Sequence, residues 1–320
     1  MRKIPEPKPL FLERMKSLLG KDFNNYMEIL KHEPVRSLRT NTLKITPEKL
    51  KEKLEKKNWI IKQPFKEYPE IMIVENDLNP GELGRALEHL LGYYYIQELA
   101  SMLPIIALKP KPDETILDLC SSPGSKTTQM ASYMNNSGII VANEVSLGRI
   151  KILASNLERC GVTNTIIAKK DGIALCERLK KENFQFDKIL VDAPCSGEGT
   201  LRSTLKTYLM WNIKTIKSVS RIQKNLVSSA LDILKPNGEL IYSTCTHAPE
   251  ENEEVIDFIM KKFNNIKIEK ISLPVKPREG ITKWQDKEYS EDIKYACRIY
   301  PQDNNTEGFF LVKIKKLNSP

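Results

Sequence analysis

A chain of 320 residues, 40% of them apolar and 28% charged, has the composition of a folded globular protein with room for one large domain or two modest ones. Its longest apolar runs fall short of the roughly 20 residues of a membrane span. Six cysteines without a CxxC pair and three scattered histidines exclude a disulfide framework and a zinc site, so no metal is expected.

The net charge of +9 and pI near 9.0 suit a polyanionic partner, because Lys and Arg release counterions from phosphates; a solvated lysine-rich surface accounts for them equally well. The opening "MRKIPEPKPLFLERM" lacks the apolar region and small-residue cleavage site of a signal peptide. The expectation is a cytoplasmic protein with no membrane attachment and no implied protein partner. "PVRSLRTNTLKI" (34–45) reads as a strand, and Thr46-Pro47-Glu48 as a capped helix start with proline in the first turn. The mixed-sign "KLKEKLEKK" (49–57) is an exposed helix face, followed by strand-like "WIIKQ" and "EIMIVEN". Residues 76–92 are polar and rich in Gly and Pro, which places a boundary there. The division is 1–91, a small α+β module, and 92–320, beginning with "GYYYIQELASMLPIIAL" as a helix with an apolar face.

From residue 113 strands alternate with helices. "ETILDLC", "GIIVANEV", "NTIIAKKD", "FDKILVDAPC" and "GELIYSTC" are strands. "KTTQMASYM", "LGRIKILASNLERCG", "ALCERLKKE" and "IKSVSRIQKNLVSSALDILK" are helices between them. "PEENEEVIDFIMKKF" is a helix whose Glu-rich start and Lys-rich end suit its macrodipole, and "IKIEKIS" and "GFFLVKIKK" close the chain as strands. The fold class is α/β, a doubly wound, mostly parallel sheet. Ligands of such sheets sit at the carboxyl ends of the strands, where this chain places Asp118, Cys120, Glu144, Asp171, Asp192, Cys195 and Cys245.

The loop "DLCSSPGSKTTQ" (118–129) fits neither a Walker phosphate loop, since Ser125 separates Gly124 from Lys126, nor a dinucleotide fingerprint, which needs three glycines. Small residues around one glycine suit the methionine end of S-adenosylmethionine. Glu144 is then placed for ribose hydroxyls and Asp171 for the adenine amino group. Cys160 and Cys176, on helices, are expected as buried apolar groups. Cys120 and Cys297, the latter in a C-terminal loop region, receive no role.

Cys195 and Cys245 both end strands at the ligand edge. Carbon 5 of cytosine becomes nucleophilic only after something adds to carbon 6, and a soft thiolate is suited to that addition. An acid near ring nitrogen 3 assists it. This chemistry requires a thiolate, an acid and a base, and it leaves open which cysteine attacks.

In order, "DLCSSPGSK", "NEVSLGR", "KKDG", "VDAPCSGEGT", "YSTCTHAPEENE" and "RIYP…EGFF" resemble the Sun/Fmu family of S-adenosylmethionine-dependent RNA (cytosine-5)-methyltransferases. The resemblance covers roughly residues 92–315, and "SLRTNTLK" upstream resembles the family's N-terminal segment. It implies a class I methyltransferase domain, with 1–91 as an RNA-contacting module. It implies that Cys245 attacks carbon 6, that Cys195 assists breakdown of the adduct, that Asp192 holds nitrogen 3 and the amino edge, and that Lys126 orients the base or Asp192. The implied cofactor positions are Ser121, Ser122, Pro123, Gly124, Ser125, Lys126, Thr127, Glu144, Arg149, Asp171 and Asp192. Where the family loop carries alanines and a second glycine, this chain has Ser121, Ser122 and Ser125; where a histidine often follows "RxxP", it has Gln302.

The expected activity is RNA (cytosine-5) methylation of a flipped base, with tRNA as the preferred substrate and rRNA the alternative. No large C-terminal RNA-binding appendage is expected, and Arg39 and Lys44 are candidate RNA contacts. Tyr208 and Trp211 are expected in the core rather than beside the base. An RNA-binding maturation factor with secondary methylation leaves the intact Asp192, Cys195 and Cys245 unexplained. A DNA enzyme using Cys195 leaves "YSTC" without a task.

Overall fold

The structure is a computed structural model that describes residues 5–318, so the first four residues of the opening stretch lie outside it. The chain packs as two compact units. One comprises Val35–Leu190 with Ile233–Lys235; the other comprises the residues up to Pro34, Val191–Asp232 and the residues from Pro236 on.

The first unit opens with strands β1 (Arg36–Thr40), β2 (Ile61–Lys62), β3 (Ile71–Val74) and β4 (Tyr94–Ile96), hydrogen-bonded in the order β2-β3-β1-β4. Thr46 caps the helix Pro47–Glu55 by accepting from the Lys49 N–H. Leu50 and Leu54 of that helix pack on Leu38, Trp59, Met72 and Tyr94. Residues 92–108 do not form one helix. The aromatic and β-branched run Tyr94–Ile96 prefers a strand and pairs with β1 (Leu38↔Ile96). The helix Leu99–Leu108 starts only after Glu98, whose carboxylate caps it through the Ser101 N–H.

Arg39 is not an RNA contact. It is 1% exposed; its guanidinium donates to Gln97 Oε1, to the Ser125 carbonyl (2.8 Å) and to Thr128 Oγ1 (2.9 Å), fastening β1 to the helix Ser125–Tyr133. Lys44 is exposed, but its ammonium group is held by the carbonyls of Leu91 (3.0 Å) and Arg159 (2.7 Å).

The following sheet contains β5 (Thr115–Asp118), β6 (Ile139–Asn143), β7 (Thr165–Ala168) and β8 (Phe186–Asp192), parallel in the order β8-β5-β6-β7. Helices Ser125–Tyr133, Leu147–Cys160 and Gly172–Lys181 connect them. Because the strands run parallel, Asp118, Glu144 and Asp171 all fall at one edge of the sheet. Cys160 and Cys176 are buried on their helices.

In the second unit, two N-terminal helices, Pro9–Leu19 and Phe23–Ile29, bury Phe11, Met15 and Tyr26 against Leu201, Tyr208, Trp211 and Tyr300. Tyr208 and Trp211 are thus core residues, their rings edge-on to Phe11 at 5.8 and 5.6 Å. The chain enters this unit through the last two residues of β8 and continues through the helix Ile213–Asp232 into β9 (Leu234–Thr244).

Further strands are β10 (Ile266–Glu269), β11 (Arg278–Glu279), the hairpin β12 (Lys283–Trp284) and β13 (Lys287–Glu288), β14 (Cys297–Ile299) and β15 (Phe309–Lys316). β15 runs antiparallel to β9, with β14 and β10 also antiparallel to it. Cys297 therefore begins a buried strand and does not lie in a loop. Among the described residues no helix is long and apolar enough to cross a membrane.

Candidate active site

In the first unit, β5 ends at Asp118, whose carboxylate accepts from Thr127 Oγ1 (2.7 Å). The loop after it contains a cis Ser122–Pro123 peptide and reaches Gly124 at φ +102°, the cap of the helix Ser125–Tyr133. A Cβ on Gly124 would meet Leu153 Cδ1 at 3.0 Å in a backbone conformation that L side chains rarely adopt.

The serine hydroxyls find partners inside the fold. Ser121 donates to the Asn143 carbonyl (2.9 Å), and Ser122 donates to the Arg149 carbonyl (3.0 Å). Arg149 answers with Nη2 to the Ser122 carbonyl (2.6 Å) and places Nη1 3.0 Å from Glu144 Oε2. Glu144, buried at the end of β6, also accepts from the Ser146 N–H (2.8 Å). Ser122, Arg149 and Glu144 are therefore one bonded cluster, with Ser121 tied to Asn143 next to it. Lys126 is 7% exposed and donates to Ser101 Oγ (2.8 Å). Asp171 is the cap of the helix Gly172–Lys181, its Oδ1 accepting from the N–H groups of Ile173 and Ala174.

The second unit holds the two thiols. Cys195 Sγ and Cys245 Sγ lie 3.0 Å apart as free cysteines, within hydrogen-bond reach. Their loops are bonded to each other through the backbone: Ala193 N–H to the Ser243 carbonyl and Gly199 N–H to the Cys245 carbonyl, both 2.9 Å. Gly199 is obligatory for this approach, since a Cβ would come within 2.2 Å of the Gly308 carbonyl oxygen and 2.8 Å of that of Cys245. Asn252, fully buried, steadies both sides of Cys245, accepting from Thr244 Oγ1 (2.6 Å) and donating to the Thr246 carbonyl (3.0 Å). Asp192 accepts from Ser243 Oγ (2.7 Å). The hydrogen bond with Cys245, then burial and the Cys245 charge, push the Cys195 thiol well above its ordinary range.

Behind this pair stands a carboxyl that the sequence patterns did not single out. Glu251 is fully buried; its Oε2 accepts from the Ser196 N–H (2.9 Å) and from Gln223 Nε2 (3.0 Å), while Gln223 also holds the Pro194 carbonyl (2.9 Å). The residues on either side of Cys195 are thus clamped. In "PEENEE" Glu251 looks like an exposed first-turn glutamate, but the helix starts at Glu253, and Glu250, Glu251 and Glu253 are all buried.

Burial and the nearby Glu198 carboxylate push Glu251 up from an ordinary 4.5 to about 7. A raised carboxyl pKa means that the folded state holds a proton the unfolded state has lost. Stability on this account falls as pH rises from about 4.5 to about 7. Glu251→Gln is expected to shrink the stability difference between pH 5 and pH 8 by roughly 2 kcal/mol, as read by urea unfolding at both pH values.

Residues 105–315 match the family model described as "16S rRNA methyltransferase RsmB/F", and residues 7–99 match the "N-terminal domain of 16S rRNA methyltransferase RsmF". A tRNA (cytosine(49)-C(5))-methyltransferase of Pyrococcus abyssi is 43% identical over 286 residues, covering 89% of each chain. Ribosomal RNA small subunit methyltransferase F of Vibrio vulnificus is 36% identical over 97% of this chain, which spans 65% of that protein's length. The solved structure of NSun6 from Pyrococcus horikoshii with SFG superposes with a TM-score of 0.81 at 25% identity, covering 98% of this chain and 99% of that one.

Proposed function

Since the chain belongs to the RsmB/F family of RNA methyltransferases, we propose that it methylates carbon 5 of cytosine in tRNA through a covalent Cys245–C6 adduct. The observation that carries the division of labour is the thiol pair. The contact with Cys245 and burial hold Cys195 in its thiol form, which leaves Cys245 as the sulfur that attacks carbon 6. Electron density then moves onto carbon 5 and nitrogen 3, where Asp192, oriented by Ser243, holds the ring nitrogen and the amino edge. Lys126 orients the base or Asp192. After carbon 5 has gained its methyl group, loss of the carbon 5 proton and breakage of the C6–S bond restore the double bond, and Cys195 assists this step. The target base must leave its stack to reach these groups.

S-adenosylmethionine, when bound, supplies the methyl group. The donor set fits it: a loop of small residues from Ser121 to Thr127 and a buried carboxylate, Glu144, at the next strand end. Glu144 serves the ribose hydroxyls, with Arg149 bonded to it; Asp171 and Asp192 are the other acids proposed for the cofactor. A related structure solved with SFG, an analogue of this cofactor, supports the same reading.

tRNA is favoured over rRNA because the relative named for tRNA matches this chain over most of both lengths, whereas the chain spans about two thirds of the relative named for ribosomal RNA. The module border at 91/92 and RNA contact by the first module remain proposals; the two family models divide the chain somewhat later, between residues 99 and 105. The cytoplasm is the proposed compartment. Bisulfite sequencing of RNA from cells with and without the gene tests the function. One or more tRNA cytosines should lose protection in the deletion strain; protection lost only in rRNA would replace the substrate, and no loss in either would overturn the activity.

A further inference from the structure

From Gly199 to Leu231 the chain carries Arg202, Lys206, Lys214, Lys217, Arg221 and Lys224 and no Asp or Glu, although about one residue in eight of the whole chain is acidic. Two of the six cations are occupied. Arg202 is buried and donates to the carbonyls of His32, Glu33 and Thr306, and Lys224 pairs with Glu254 at 2.9 Å.

Lys206, Lys214, Lys217 and Arg221 are exposed and form no ion pair with any described residue. Lys214, Lys217 and Arg221 are spaced i, i+3, i+7 on the helix Ile213–Asp232, whose opposite face buries Ile216, Ser220, Gln223, Leu226 and Val227. They form a single outward stripe about 10 Å long. Between Lys206 and Lys214, Leu209 and Met210 stand 62% and 75% exposed. Lys217 shares a cleft of about 280 Å³ with Glu13 and with the Arg14–Glu250 ion pair, so the cleft itself is nearly neutral and the surplus charge lies along the helix.

The segment starts at the thiols: Gly199 N–H is bonded to the carbonyl of Cys245. A chain leaving the thiol pair, free of carboxylates and lined with unpaired cations and exposed apolar tips, has the chemistry of a single-stranded nucleic-acid track. We propose that Lys206, Lys214, Lys217 and Arg221 hold the sugar–phosphate backbone of the RNA strand flanking the target cytosine, with Leu209 and Met210 against unstacked bases. This rests on the RNA-methyltransferase reading and moves the principal phosphate contacts from the N-terminal module, where Arg39 is buried, to the segment beyond Cys195.

The test uses the full chain, an unmodified tRNA transcript and Lys214→Gln/Lys217→Gln/Arg221→Gln. Lys49→Gln/Lys53→Gln/Lys66→Gln, which removes the same charge elsewhere, is the control. The stripe variant should raise KM for RNA on the order of 10-fold with kcat and cofactor affinity unchanged, and flatten the slope of log Kd against log salt by about 2, the value for three single-strand phosphate contacts. Equal KM values and equal salt slopes for the two variants would overturn the track. If the wild type binds the transcript without methylating any cytosine, the functional reading fails, and the salt slopes still decide the surface.

Discussion

Cys245→Ala is expected to abolish methyl transfer, lowering kcat at least about 10⁴-fold, and to leave no covalent RNA adduct on a denaturing gel. Cys195→Ala should behave oppositely: it carries out one round of methylation, then stalls with RNA attached, and steady-state turnover falls about 10²-fold or more. The reasoning starts from position. The sulfurs are 3.0 Å apart, so either could reach the same ring, and proximity alone does not choose between them. The proton does, because the hydrogen bond and burial hold Cys195 in its thiol form. An adduct accumulating on Cys245→Ala, with none on Cys195→Ala, would reverse the assignment.

The second large effect concerns stability. Arg298→Met should destabilise the fold by about 3–5 kcal/mol, the range for breaking a buried ion pair by removing one partner. Arg298 is 2% exposed and Glu253 0%. The guanidinium meets the carboxylate twice, Nε to Oε1 and Nη2 to Oε2, both at 2.6 Å, and also donates to the His247 carbonyl and Tyr300 hydroxyl. Without Arg298 the carboxylate is left charged in the interior. Arg298→Met/Glu253→Leu should recover much of the loss, because an apolar pair of similar volume escapes the desolvation cost. Denaturant midpoints of the wild type and both variants check this; a double variant as unstable as the single one would show that shape, not charge, is what the site requires.

Much of the first unit could be read directly from the chain. The alternation of apolar strands and amphipathic helices after residue 113 needs only local periodicity, and parallel pairing then brings Asp118, Glu144 and Asp171 to one edge. What escaped depends on partners far along the chain. Arg39 reads as a surface cation until Gln97, Ser125 and Thr128 are brought to it. Glu251 and Glu253 read as favourable charges at a helix start, and only folding encloses them with Gln223 and Arg298. Cys297 lacks the length of a typical strand, and β14 forms because β15 offers it an edge at Leu311. In the 121–127 loop the serine departures read from the chain only as small residues. In the fold their hydroxyls tie Ser121 to Asn143 and Ser122 to Arg149.

On the proposed mechanism the closeness of the two sulfurs also sets an order of events. The contact with the Cys245 sulfur, 3.0 Å away, is the first cause that holds Cys195 in its thiol form, and burial is the second. Once the Cys245 sulfur is bonded to carbon 6, the first of these restraints is gone. Attack then arms release. The thiol pair works on this reading as a sequential latch, in which the releasing group stays silent until there is something to release.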